Sequence, residues 1–201
     1  MADTIVPLIL ASASLRRTEI LDAHDVAHVV IPSDVDEILP EGADFTPYQT
    51  TIYLAESKAD AVLAGLDPSD WPHGCYILGV DTIVYKDHII GKPVNEEDAL
   101  NILRSLNNAS HEVISGVCLI LAKPLDGKLE CSAKHLFSDT TTVRFDEYTD
   151  ADILAYIREN PPYDKSGSYA IQSDWGRHVL EINGDIENVI GLPYKKLSEY
   201  L

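Results

Sequence analysis

The stretch Tyr76–Tyr85 is the strongest strand signal in the chain, and it carries an acid, Asp81, within Ile77-Leu78-Gly79-Val80-Asp81-Thr82-Ile83-Val84. A run this apolar belongs in a core. A carboxylate buried there is costly unless it meets a cation, a donor or a metal. Asp81 is therefore either a strand-end acid bonded to a neighbouring loop, or a metal ligand or general base. Asp is hard and anionic, which suits Mg²⁺. Simple alternation turns Thr82 to the other side of the strand, although a strand end can bring both side chains into one cleft.

The rest of the chain alternates between helical and extended signals. Val6–Ala11 is an apolar run ending in small residues and reads as a buried first strand. Ser14 is placed to cap a helix from Leu15 to about Ala23, with Ile20 and Leu21 inward. Val26–Ile31 reads as a second strand, and Pro32–Asp44 as an acidic loop. Thr46-Pro47 starts a helix whose apolar face is Ile52, Ala55, Ala59 and Val62, stopped by Gly65 and Pro68. Asp67–Gly74 reads as a surface insertion, and Lys86-Asp87 turns the central strand back into His88–Ile90. Asn95 caps a helix with Glu96 and Glu97 in its first turn, where the dipole favours them. Val113–Leu121 and a stretch ending in Thr140–Phe145 read as antiparallel strands around a Lys123–Lys128 turn. Ala151–Arg158 is a short helix ended by Pro161-Pro162, His178–Ile182 a last strand, and Lys195–Leu201 a terminal helix. This mixture is α/β with antiparallel parts.

Several motifs are excluded by their context. Gly91-Lys92 lacks the preceding glycine of a phosphate-binding P-loop, and Pro93 follows it. His24-Asp25-Val26-Ala27-His28 falls where a helix ends and a strand begins, so its imidazoles would not share a helical face. Cys75, Cys118 and Cys131 form neither an even set nor a CxxC pair, which fits a reducing compartment and a cytoplasmic location. At the start, Asp3 precedes the apolar Ile5–Ala11 and Arg16-Arg17 follow it, the reverse of a secretory signal, and the run is too short to span a membrane.

A formal net charge of -18 argues against a broad grip on nucleic acid or an anionic membrane. It also means that a polyphosphate would be repelled unless basic groups or a cation were concentrated locally. Ser12-Ala13-Ser14-Leu15-Arg16-Arg17 offers such a concentration, with two hydroxyls, free backbone N–H groups and two guanidinium groups at a helix start. Basic charge in a first helical turn opposes the dipole, and a bound anion would reverse that. Taken singly, Lys58 reads as a snorkelling lysine, Lys92 as loop decoration, Asp36 and Glu37 as solvated acids, and Tyr163–Gln172 as a polar turn leading to one buried amide, Gln172.

In their order along the chain these pieces form a pattern. Ser12-x-Ser14-x-Arg16-Arg17, Asp36-Glu37, Ala55-Glu56-Ser57-Lys58-Ala59, Gly79-Val80-Asp81-Thr82, Gly91-Lys92-Pro93, His111–Val117, Tyr163-Asp164-Lys165 through Ile171-Gln172, and Glu187–Pro193 together resemble the Maf family of nucleotide pyrophosphatases over nearly the whole chain.

The resemblance implies one domain over residues 1–201, an elongated mixed α/β sheet in two lobes with a central cleft, similar to inosine triphosphate pyrophosphatases. It implies a divalent cation, Mg²⁺ or Mn²⁺, and hydrolysis of nucleoside triphosphates at the α-phosphate with release of pyrophosphate. Asp81 would be the catalytic acid, with Glu37 beside it as a metal or water ligand. Ser12, Arg17, Lys58 and Lys92 would bind the phosphate chain, with Asp164 and Lys165 on the closing side. Arg16, Thr82 and Gln172 match the branch similar to dTTP/UTP pyrophosphatases, which implies dTTP, UTP and modified pyrimidine analogues as substrates. A homodimer is suggested by the resemblance alone. The family's link with septum formation leaves a non-catalytic nucleotide sensor or division regulator as one alternative, and a purine-directed house-cleaning pyrophosphatase as another. Leu15 stands where the family usually has Pro, and Ser166 where Ala is common.

Overall fold

The computed structural model describes residues 6–201, so Asp3 and Ile5 lie outside the described residues. Its seven strands form one mixed sheet in the order β2-β1-β3-β5-β6-β7, with β4 paired to β3. The first strand, β1 (Leu8–Leu10), is buried throughout and pairs in parallel with β2 (His28–Val30) and with β3 (Cys75–Lys86). The second strand is thus shorter than the apolar run Val26–Ile31 suggests. Asp87, at φ 59°, makes the turn into β4 (His88–Ile90), which lies antiparallel to β3 as the sequence indicates.

The two longest strands are β5 (Ser110–Leu125) and β6 (Lys128–Phe145). They run further than their apolar cores because Asp126 and Gly127, at φ 48° and 80°, form a tight two-residue turn of the type that matches strand twist. The last strand, β7 (Val179–Asn183), pairs antiparallel with β6.

Helix starts follow local chemistry closely, with one exception. In α2 (Pro47–Gly65) Thr46 and Gln49 form a reciprocal capping box, and in α4 (Asp150–Glu159) Thr149 and Asp152 do the same. In α3 (Glu96–Leu106) the Asn95 side chain accepts from the Asp98 N–H at 2.8 Å. The exception is α1 (Leu15–Ala23): Ser14 sits at the cap position, yet its side chain makes no cap bond. Its N–H donates to Ser12 Oγ at 3.2 Å. Two short helices follow β7: α5 (Ile186–Ile190) and α6 (Tyr194–Leu197). The expected terminal helix over 195–201 therefore stops at Leu197. Seven residues are marginal as a helix without tertiary support, and Tyr200 stacks on Phe137 instead, with ring centroids 5.2 Å apart. Asp67–Gly74 holds a 3-10 turn, Pro68–Asp70, and its Trp71 packs against the core rather than standing clear of it.

The chain divides into two compact units, and the division passes between Asp81 and Thr82. One unit contains the described residues up to Asp81, Ser115–Ser138 and Tyr194–Leu201. Its core joins Ile9 and Ala11 of the first-strand segment to Ala55, Ala59 and Val62 of α2, and to Ile77, Cys118 and Ile120. The other unit contains Thr82–Ile114 and Asp139–Pro193. Its core is aromatic: Phe145, Tyr148, Tyr156, Tyr169 and Trp175 pack with Leu103, Leu106 and Ile153.

In the first unit α2 lies unusually close to the sheet. A Cβ on Gly79 would come within 2.1 Å of the Ala55 carbonyl oxygen, and one on Gly116 within 2.2 Å of the Thr51 carbonyl carbon. Two strand glycines and two helix alanines, Ala55 and Ala59, set this spacing. Among the described residues, no helix is long and apolar enough to cross a membrane.

Candidate active site

The close approach of α2 decides what surrounds Asp81. Lys58 stands on the buried face of α2, and its Nζ donates to Asp81 Oδ1 at 2.6 Å and to Glu37 Oε1 at 2.8 Å. Both Lys58 and Asp81 are buried, at 8% and 6% exposure. Lys58 is thus no snorkelling surface residue, and Glu37, although half-exposed, is ion-paired to it. The acid that an apolar strand should not contain has its compensating cation, supplied by a helix 23 residues earlier in the chain.

Arg17 completes the group. It is buried on α1, and its Nη1 donates to Ser12 Oγ at 2.7 Å. Burial lowers its affinity for a proton, the negative charges of Asp81 and Glu37 raise it, and Arg16 lowers it; the balance leaves the guanidinium pKa at about 10. Arg17 is therefore a cation at neutral pH that has already given up much of its hydration. Ser12 Oγ accepts from both the Ser14 N–H and Arg17, which fixes the guanidinium against the start of α1. Four charges, two of each sign, and one hydroxyl thus meet in the first unit. Such a group can bind an anion through Arg17 and Lys58, and can accept a proton or hold a cation through Asp81 and Glu37.

The second unit holds the remaining candidates. Ser166 Oγ donates to the Thr82 carbonyl oxygen at 3.3 Å, and the Gly167 N–H to the Gly91 carbonyl at 3.2 Å. These bonds bring the Lys92 loop and the Asp164-Lys165 loop beside the start of this unit's share of β3. Lys165 Nζ is hydrogen-bonded to Asp164 Oδ1. Gly167 sits at φ 74°, where a Cβ would also strike Val84 Cγ2 at 2.7 Å, so this turn needs glycine. Arg16 is half-buried on α1 in the first unit, Thr82 is half-buried, and Gln172 is exposed rather than a buried amide. His24 stacks on Tyr194 at 3.7 Å while His28 belongs to β2, so the two imidazoles go to different tasks.

The sequence motifs include Gly79 and Gly116 but give neither its role, which is to set the distance of α2 from the sheet. Gly79 and Gly116 show no need for unusual backbone angles. Their only signal was the pairing of strand glycines with Ala55 and Ala59 spaced one helical turn apart.

Buried Lys58, Asp81 and Arg17, with the half-exposed Glu37 beside them, form a charged site in a mixed α/β fold. The chain matches the family model for Maf-like protein over residues 7–201 and belongs to that family. A dTTP/UTP pyrophosphatase of Exiguobacterium sibiricum is 39% identical to it, across 97% of this chain and 91% of its own. Another dTTP/UTP pyrophosphatase, from Alkaliphilus metalliredigens, is 41% identical across 96% and 94%. A solved structure of a HAM1 protein from Coxiella burnetii covers 98% of this chain at 13% identity, with a TM-score of 0.45.

Proposed function

We propose that this chain hydrolyses nucleoside triphosphates, dTTP and UTP first among them, to the monophosphate and pyrophosphate. The observation that carries the reading is the buried contact of Asp81 with Lys58 and, through Lys58, with Glu37. Family membership and the relatives named dTTP/UTP pyrophosphatase support the substrate class.

In this reading water attacks the α-phosphorus and the bond to the bridging oxygen of pyrophosphate breaks. Asp81 accepts the water proton, a contribution typically worth ~10²–10⁴ in rate. Lys58 and Arg17 neutralise phosphate oxygens, while Ser12 orients Arg17. Little covalent chemistry is needed, because phosphoryl transfer depends on charge neutralisation and alignment. Lys92, Asp164 and Lys165 are assigned to the phosphate chain, and Arg16, Thr82 and Gln172 to the base, by their motifs.

A divalent cation fits the residues present. Glu37 and Asp81 already direct one oxygen each at a single positive group, and both are hard oxygen donors. That suits Mg²⁺ or Mn²⁺, which commonly take one or two carboxylates and fill the remaining positions with phosphate oxygens and water. Such a cation would neutralise phosphate charge and acidify bound water.

The test is a nucleotide panel with Mg²⁺ or Mn²⁺, separating pyrophosphate from orthophosphate. Pyrophosphate from UTP and dTTP is expected. Orthophosphate alone would contradict the α-phosphate assignment, and tight binding without turnover would favour a nucleotide sensor.

A further inference from the structure

We propose that Lys58 holds the place of a divalent cation between Asp81 and Glu37, so that the cation enters only together with a phosphate chain that draws the ammonium away. The proposal rests on the metal-dependent triphosphate reading above. Its geometric basis is one ammonium shared by two carboxylates: Lys58 Nζ lies 2.6 Å from Asp81 Oδ1 and 2.8 Å from Glu37 Oε1. Mg²⁺ holds an oxygen ligand at about 2.1 Å. An ion bound to both of these oxygens would therefore fall in the space that Nζ fills, and two cations cannot share it.

Charge balance leads to the same exclusion. Asp81 and Glu37 carry two negative charges against the two positive charges of Lys58 and Arg17, and Arg17 lies within electrostatic reach of both acids. The group is neutral as it stands, with Lys58, Asp81 and Arg17 buried and Glu37 half-exposed. A divalent cation added alone would leave excess positive charge beside two buried cations. A triphosphate added alone would set its own charge against Asp81 and Glu37. Buried charge is tolerated only where it is compensated, and the two ligands added together compensate each other.

Lys58 has the means to change partner. Its ammonium carries three N–H donors, of which Asp81 and Glu37 take two. Its four-carbon stem is flexible, so the ammonium can pass to a phosphate oxygen while α2 stays against the sheet. Metal and phosphate chain then raise each other's affinity, by the reciprocity that links any two ligands of one site.

Mn²⁺ binding to the full chain without nucleotide, read from the loss of the free-ion electron paramagnetic resonance signal, tests the exclusion. Lys58→Met is expected to bind Mn²⁺ at least about tenfold more tightly than the parent, within the ordinary range of such coupling. The double variant Lys58→Met/Asp81→Asn should lose that gain. A second measurement uses the parent chain and decides the matter if Lys58→Met does not fold. The ¹⁵N signal of the Lys58 ammonium should hold its position with Mg²⁺ alone and move when Mg²⁺ is added with an α,β-imido analogue of UTP. Folded Lys58→Met that binds Mn²⁺ no more tightly than the parent would overturn the proposal, as would an undiminished gain in the double variant. So would an ammonium signal that moves with Mg²⁺ alone, or one that stays in place with Mg²⁺ and the analogue. None of these readouts needs turnover, so a chain that shows the expected ones yet hydrolyses no triphosphate would defeat the underlying reading alone.

Discussion

Lys58 Nζ lies 2.6 Å from Asp81 Oδ1, between that carboxylate and Glu37, in a part of the first unit where both lysine and aspartate are buried. One ammonium thus neutralises the strand acid and bridges it to the loop acid. Removing it leaves Asp81 charged, buried and short of its strongest partner. Lys58→Met is expected to cost about 3 kcal/mol in folding stability at pH 7, near the low end for a broken buried pair, because Glu37 is half-exposed and contributes little. Turnover should fall much further than stability. Urea denaturation and steady-state kinetics on the same preparation check both; an unchanged denaturation midpoint would mean that the bridge contributes nothing.

Gly79 keeps Lys58 in reach. A methyl group there collides with the Ala55 carbonyl at 2.1 Å and with the Ala59 Cβ at 3.0 Å. Backbone cannot yield as a flexible side chain does, so α2 must move outward and carry Lys58 with it. Gly79→Ala is expected to destabilise the fold by about 1–3 kcal/mol and to reduce kcat/KM more than tenfold. Gly65→Ala, at the exposed end of the same helix with open space around it, should do neither. Kinetics and thermal melts of the two variants decide this, and equal activity in both would refute the packing argument.

What could be read from the sequence follows the range of the forces involved. Thr46 with Gln49, Asn95 before Glu96, and Asp87 after Lys86 act within a few residues, and the helices and hairpin they announce are where the sequence puts them. Ser14 stands at the cap position the sequence indicates, but its hydroxyl makes no cap bond, and its N–H donates to Ser12 Oγ, which belongs to the Arg17 group. The short α5 carries too few residues for a periodic signal, and its anchor reaches from Asn188 to Val113, 75 residues away. Asp81 was conspicuous because an acid breaks an apolar pattern, but Lys58 and Glu37 look like ordinary surface residues until tertiary packing buries one and pairs both. For Gln172 the apolar neighbour Ile171 suggested burial that the fold does not provide.

His111 gives the second unit a pH dependence. It is buried against Phe145, its Nε2 lies 2.8 Å from the Tyr169 hydroxyl, and its Nδ1 has no hydrogen-bond partner. Burial, with a smaller push from the positive charge of Lys86, lowers its pKa from 6.5 to about 4. The folded state thus holds the ring neutral where the unfolded chain would protonate it. Stability from this source is complete above pH 6.5 and is lost as pH falls toward 4, by at most roughly 3 kcal/mol. Chemical denaturation between pH 7.5 and pH 5 should show the decline in the parent chain, and His111→Phe should flatten it even though the variant forfeits the Tyr169 bond. A parallel decline in both would place its origin elsewhere.

In the proposed reaction water attacks the α-phosphorus under the control of Asp81. Hydrolysis of UTP in ¹⁸O-labelled water with Mg²⁺ tests it most directly, with mass spectrometry of both products and Asp81→Asn as the control. One labelled oxygen in UMP, none in pyrophosphate, and a rate at least about a hundredfold lower in Asp81→Asn are expected. Label in pyrophosphate or orthophosphate, or near-parent turnover by Asp81→Asn, would contradict it.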